Sequence, residues 1–319
     1  MEEYPRTLLE MEARFGSEDA CRDYLAQLRW PTGFACPRCK GGKAWATKRG
    51  LRVCGMCGYQ ASVTAGTIFQ DTHLPLMLWF RAIWSVTGQK TGASALGVQR
   101  VLGLGSYRTA WTWLHKLRRA MVRPGRDQLS GEVEVDETFV GGVEAGGGRR
   151  HVGKKALVAI AAEIRGEAIG RIRMRRVRDS SAESLLPFVQ EAVTRGAAAV
   201  TDGLPSYLGL SSLGYRHERK VILGSGQTAE AVMPRVHRVA SLLKRWLLGT
   251  HQGAASREHL DYYLDEFTFR FNRRTSRHRG LLFYRILGQA MAVEPVTYAA
   301  MVKHARGRHR KRPGASPNR

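Results

Sequence analysis

The chain has 319 residues, 51 of them Lys or Arg against 27 Asp or Glu, which leaves a formal charge of +24. That excess argues against a metabolic enzyme for neutral small molecules and points to a polyanionic partner, either nucleic acid or an anionic surface. Hydrophobic residues at 43% suffice for a core and exclude wholesale disorder, and the length predicts two or three domains.

The longest apolar runs, Ala156 to Ala162 and Leu185 to Val189, fall far short of the roughly 20 residues of a spanning helix, so no membrane segment is expected. The N-terminal MEEYPRTLLEMEARFG begins acidic, without a basic region leading into an apolar one. A secretory signal is therefore not expected, and the reading is cytoplasmic. Leu8, Leu9, Met11, Phe15, Cys21, Tyr24, Leu25 and Leu28 recur at helical intervals and predict one or two short helices over residues 1–30, with Cys21 a buried core thiol.

Cys36-Pro-Arg-Cys39 and Cys54-Gly-Met-Cys57 follow, separated by fourteen residues of alternating, strand-like sequence. Each CxxC turns two thiolates onto one ion, and two pairs complete a closed four-cysteine site. Residues 31–70 thus read as a zinc ribbon with a structural Zn²⁺, although the ligands alone would serve iron equally well. Over 71–127 the periodicity predicts three helices, near 74–86, 94–102 and 107–122, the last two joined by Gly103-Leu104-Gly105. The third carries Arg108, His115, Lys116, Arg118 and Arg119. This stretch is expected to be a helix-turn-helix with those residues on DNA, a plain helical hairpin being the alternative.

Beyond Gly125 strands and helices alternate, which predicts an α/β fold with a mixed sheet flanked by helices over 128–290. Glu132, Glu134 and Asp136 share one face of a strand, with Val133 and Val135 on the other. Gly141 to Gly148 is expected to be a mobile glycine loop. Ala156 to Ile164 and Ile169 to Val177 read as strands, Ser181 to Thr194 as a helix, and Ala197 to Thr201 as a strand ending at Asp202. Asp136 and Asp202 thus stand at strand ends, where two carboxylates can converge on Mg²⁺. Arg245, Arg273 and Arg274 add candidate phosphate contacts, and residues 291–319, acid-free beyond Glu294, are expected to form a basic tail, unstructured when free.

VEVDETFVGG, VTDGLPSYLGL with GYRH, VHRVASLLKRWLLGTHQG and HLDYYLDEFTFRFNRR, with the ribbon before them, together resemble the DDE transposases of bacterial insertion sequences that carry an N-terminal zinc ribbon and an ISXO-like transposase domain. The resemblance runs from about residue 15 to 290. It implies an RNase H-like catalytic fold, two Mg²⁺ or Mn²⁺ ions, and double-stranded DNA (terminal inverted repeats and target) as partner. It also implies a homo-oligomer on DNA, a nucleoid-associated location, and cleavage of element ends followed by joining of 3′ hydroxyls to target. Asp136 and Asp202 become the first two metal ligands. The third falls at His237, where the family commonly has Glu or Asn, and Lys244 lies seven residues, about two helical turns, further on. A histidine there implies a weak second ion, a preference for Mn²⁺, or contact with phosphate or water. His217, in GYRH, is a supporting residue. The alternative reading is an inactivated or domesticated transposase acting as a DNA-binding regulator.

Overall fold

The computed structural model describes residues 4–123, 125–141, 155–221, 228–253 and 255–303. In chain order the elements are α1 (Leu8–Arg14), α2 (Glu18–Arg29), β1 (Ala44–Ala46), β2 (Arg52–Cys54), β3 (Gln60–Ala61), α3 (Leu76–Gly88), α4 (Ala95–Leu102), α5 (Tyr107–Ala120) and β4 (Glu132–Val140). Then follow β5 (Ala156–Arg165), β6 (Ala168–Val177), α6 (Ala182–Ala192), β7 (Ala198–Asp202), a 3-10 turn (Pro205–Leu210), β8 (Arg216–Lys220), α7 (Ala229–Val232), α8 (Pro234–His251), α9 (Leu260–Phe271), α10 (Arg279–Ala292) and α11 (Tyr298–Lys303).

β1 to β3 form a small antiparallel sheet, the ribbon. Its two knuckles repeat one geometry: the Lys40 amide donates to the Cys36 carbonyl at 2.9 Å, and the Gly58 amide to the Cys54 carbonyl at 3.0 Å. Both donors have positive φ, 65° and 68°, the left-handed conformation that lets a chain reverse within four residues.

The larger sheet has the order β6-β5-β4-β7-β8. β6, β5 and β4 are antiparallel, and β7 and β8 run parallel to β4. This mixed five-stranded sheet with helices on both faces is consistent with an RNase H-like fold. β4 and β5 are long and apolar because they are central; Ala156 through Ala162 are all buried. One face packs α6 and the 3-10 turn against Val133, Val135, Ala159 and Ala161. The other packs α8 and α9 against Val158, Ile160, Ala162 and Val200. β8, Arg-His-Glu-Arg-Lys, is a strand that hydrophobic alternation does not announce, because it is an exposed edge stitched to β7 by backbone hydrogen bonds.

A separate helical core joins α1 to α5 with α10, through Phe15, Trp79, Phe80, Trp113, Leu117, Phe283 and Ile286. α10 therefore packs with the N-terminal helices, although its sequence lies within the stretch expected to be catalytic. α4 and α5 form the predicted pair: Gly103 caps α4 in the left-handed conformation at φ 61°, and the Ser94 and Ser106 hydroxyls accept first-turn amides at 3.1 and 3.2 Å.

Three expectations change. The tail is not structureless from 291, since α11 forms and buries Met301, with Tyr298 under the Arg108 guanidinium at 4.0 Å; residues 304–319 lie outside the described residues, as do 142–148 of the glycine loop. His115 and Arg118, expected to face DNA, are 0% and 2% exposed. The His115 ring stacks on Trp111 at 3.8 Å, its Nδ1 is 2.9 Å from the Trp111 carbonyl, and burial, reinforced by Arg118, drives its pKa down to about 2. Arg118 donates to Glu266 on α9 at 2.8 Å and lies over Tyr263 at 4.1 Å. Both residues form the seam between α5 and α9 because a buried carboxylate on α9 requires a cation.

Candidate active site

The four cysteine sulfurs lie within 4.8 Å of one another. Cys36 to Cys57 is 3.7 Å and Cys39 to Cys54 is 3.5 Å. A tetrahedron with metal–sulfur bonds of about 2.3 Å has edges of about 3.8 Å, so the cluster fits one zinc ion. The Met56 amide donates to Cys54 Sγ at 3.4 Å, further favouring thiolate. Gly41 sits where a Cβ would come within 2.5 Å of the Met56 sulfur and 3.4 Å of Cys39 Sγ, so a side chain there would have to displace the exposed Met56 thioether. All four positions are sulfur, which makes the ion structural. Removing it with a chelator should expose the backbone amides of residues 36–61 to hydrogen exchange, and the loaded protein should contain one zinc per chain. Exchange rates unchanged by metal removal would overturn the structural role.

In the larger sheet, the pairing Glu134↔Val200 and Val135↔Thr201 carries β4 and β7 side by side to Asp136 and Asp202. Both project from the face covered by α8. Glu134, one pleat before Asp136 and 2% exposed, accepts the Arg235 and Val236 amides at 2.8 Å each. These are the first free donors of α8, which opens on Pro234, so Glu134 pins the helix N-terminus to the sheet by charge-assisted hydrogen bonds. His237 follows one residue later, and its Nε2 lies 3.6 Å from Asp136 Oδ2, buried and without a hydrogen-bond partner. Lys244, exposed on the same helix, is near enough to interact electrostatically with Asp136; burial lowers its pKa while that carboxylate resists.

The acids crowd one another. Burial, followed by Asp202 and Glu134, raises Asp136 to about 6 against the Glu137 amide and His237. Glu137, on the opposite face of β4, is raised to about 7 by burial and then Asp136, while its hydrogen bond from the Tyr207 hydroxyl, 2.9 Å, opposes the shift. A carboxylate cluster that resists ionisation is a place where a divalent cation is favourable. The donors fit one: two carboxylates on one face and a buried imidazole nitrogen with no other partner. The arrangement is more open than the ribbon site, since among the described residues the cysteines are the group of three or more such donors within 4.8 Å.

The chain matches the ISXO2-like transposase domain over residues 128–272 and the transposase zinc-ribbon domain over residues 16–60, together more than half its length. The chain carries an ISXO2-like transposase domain preceded by a transposase zinc ribbon. A protein of Halobacterium salinarum described as an uncharacterized protein in transposable element ISH50 is 25% identical over 277 residues, covering 80% of this chain and 91% of that one. A chain in the structure of a simian T-cell lymphotropic virus intasome in complex with PP2A regulatory subunit B56 gamma aligns over 69% of this chain and 75% of its own, at 12% identity. Its TM-score of 0.31 is too low to carry an argument. Among the described residues no helix is long and apolar enough to cross a membrane.

Other predicted residues of this chain are distributed more widely. His217 is not in the carboxylate pocket: it sits opposite Ala199 on the far side of the sheet, with Nε2 2.8 Å from Thr201 Oγ1. It braces β7 from behind. Arg274 is engaged by the carbonyls of Ile169, Gly170 and Phe271. Arg273 lies over Phe269 at 4.1 Å. Lys116 is half-buried, its ammonium 5.9 Å from the Trp79 ring, and Arg119 is also partly buried, whereas Arg108 and Arg245 are exposed. Sequence reasoning missed Glu137 and Tyr207. A Glu directly after Asp136, in a chain poor in acids, was the available signal, but its partner lies 70 residues away.

Proposed function

We propose that the chain is a DNA transposase. It binds the terminal inverted repeats of its insertion sequence with the α4–α5 pair, cleaves the element ends, and joins the 3′ hydroxyls to target DNA. The observation that carries this reading is the convergence of Asp136, Asp202 and the unpartnered His237 nitrogen on one sheet face, within a domain matched to transposases.

Asp136, Asp202 and His237 would hold two Mg²⁺ or Mn²⁺ ions, which supply charge stabilisation for the attacking and leaving oxygens. The chain's own residues orient the reaction. Glu134 fixes the start of α8 and hence His237. Lys244, from the same helix face, places its cation where a scissile phosphate would meet Asp136, and Tyr207 holds Glu137 behind the strand. Exposed Arg108 and Arg245 are placed to contact backbone phosphate. Two element ends must be held at once, so the working form is an oligomer on DNA. Imidazole is a weaker ligand than carboxylate for a hard ion, which favours Mn²⁺ over Mg²⁺.

On duplexes carrying the repeats that flank the gene, the protein should cleave and join strands, faster with Mn²⁺ than with Mg²⁺. His237→Glu should keep or raise the Mg²⁺-dependent rate. Complete loss of joining in that variant, with DNA binding intact, would overturn His237 as a ligand. Repeat binding without cleavage in either metal would leave a DNA-binding regulator.

A further inference from the structure

A second, strongly cationic cleft lies where the exit from α5, β6, the end of α9, and α10 meet. It encloses about 540 Å³, and Arg123, Arg126, Arg171, Arg173, Arg273 and Arg285 line it, with Asp127 and Asp265 the acids among its walls. Some of that charge is balanced. Arg171 pairs with Glu163 at 2.6 Å and Arg123 with Asp127 at 3.3 Å. The rest is not. Among the described residues neither Arg126 nor exposed Arg285 makes an ion pair, and Arg173, 6% exposed, donates only to the carbonyls of Ile172 and Asp127. Arg273 Nε and Gln289 Oε1, both in the walls, are buried without hydrogen-bond partners. Burial and then like charges lower Arg173 and Arg273 to about 10, through Arg126 and Arg171 in one case and Arg285 and Arg123 in the other.

We propose that this cleft binds the phosphate backbone of duplex DNA, as a site separate from the Asp136 pocket. Partly buried guanidiniums that outnumber the acids lining the same cleft six to two are costly unless a further anion joins them, and the unpartnered Arg273 Nε–H is a donor suited to a phosphate oxygen. The four without an ion pair among the described residues, Arg126, Arg173, Arg273 and Arg285, come from four separate segments, a spread that suits successive phosphates along a backbone better than one small anion. β6 is an edge strand, two strands removed from β4, roughly 10 Å across the sheet. Asp136, Asp202, His237 and Lys244 are all absent from the cleft's lining, so the cleft is a set of contacts distinct from the carboxylate pocket. The proposal takes from the preceding reading only that the polyanion is DNA; it does not require cleavage.

The test uses the full-length, zinc-loaded protein and a labelled 30-base-pair duplex of arbitrary sequence, with binding measured across a sodium chloride series. Arg126→Ala with Arg285→Ala removes two cations that hold no other element together. The slope of log affinity against log salt should flatten by about 2, at roughly 0.9 for each phosphate no longer neutralised, and low-salt affinity should fall at least tenfold. Arg126→Lys with Arg285→Lys should restore most of both, which a folding defect would not. An unchanged slope in the alanine pair overturns the proposal. So does micromolar binding of pyrophosphate that leaves duplex binding undisturbed, which would mark a small-anion site, or tighter binding of single-stranded RNA of equal length. A flattened slope in the alanine pair, with no cleavage by the parent protein, would sink the transposase reading and leave the cleft standing; the converse result would do the reverse.

Discussion

Replacing Asp136 or Asp202 with Asn should lower single-turnover strand joining by about 10³-fold or more, equivalent to roughly 4 kcal/mol of transition-state stabilisation. Duplex affinity should hold within about twofold. Each substitution removes a charged donor from the sheet face that α8 and its His237 cover, while leaving the size and the strand pairing of the residue intact. A second signature separates this loss from damage to the fold. Burial and neighbouring acids already hold Asp136 at about 6, so the native state resists its charge, and Asp136→Asn should raise thermal stability when no Mg²⁺ or Mn²⁺ is added. Joining that survives either substitution would show that the phosphoryl-transfer site lies elsewhere.

Glu266→Ala should cost about 3–5 kcal/mol of folding stability in urea titrations, the largest single-residue effect outside the cores. Glu266 is 1% exposed and receives Arg118 at 2.8 Å and Arg270 at 2.9 Å. Burial alone would raise its carboxyl, but Arg270 and Arg118 outweigh that and hold it at about 2. Truncation leaves both guanidiniums buried without their anion, and Arg118, at 2% exposure, cannot turn to water. Converting Arg118, Glu266 and Arg270 together to Met, Leu and Met should cost less than the single change, because the charges that suffer from separation are gone. A single-variant loss below about 1 kcal/mol would show that the seam is not the junction between α5 and α9 that its burial implies.

The same seam marks where reading the chain by itself stops working. Arg118 and His115 lie on a basic helix after a glycine turn, and their spacing is that of a DNA-facing surface. Their fate depends on Glu266, 148 residues downstream of Arg118, on an aromatic helix whose pattern does not reveal which side it buries. β8 was hidden for a related reason. An edge strand takes its stability from hydrogen bonds to a neighbour, so its five polar residues carry no alternation. α10 reads as a continuation of the preceding domain, yet Phe283 and Ile286 find their partners among α1 to α5. The carboxylate pair was more legible, because Glu134 and Asp136 alternate with two valines over one short strand and Asp202 ends another. That Glu134 would instead clamp the start of α8, and that His217 would brace the sheet from behind, required the strand register.

From the order of residues alone came the ribbon, since ligand spacing within CxxC is a local geometric property, and the charge that calls for a polyanion, which is a sum. The α/β alternation and the end of β7 at Asp202 came the same way, because side-chain period is set by each strand's own backbone; Asp136, expected at a strand end, instead lies in the middle of β4, which continues to Val140 because β5 pairs with it along that whole length. Tertiary packing decided which cations are structural and which stay free for an anion. It turned Arg118 inward to meet Glu266 and gathered Arg123, Arg126, Arg173, Arg273 and Arg285 around one cleft. An arginine's role depends on the nearest unpaired charge in space, and that distance is fixed only when segments far apart in the chain are packed together.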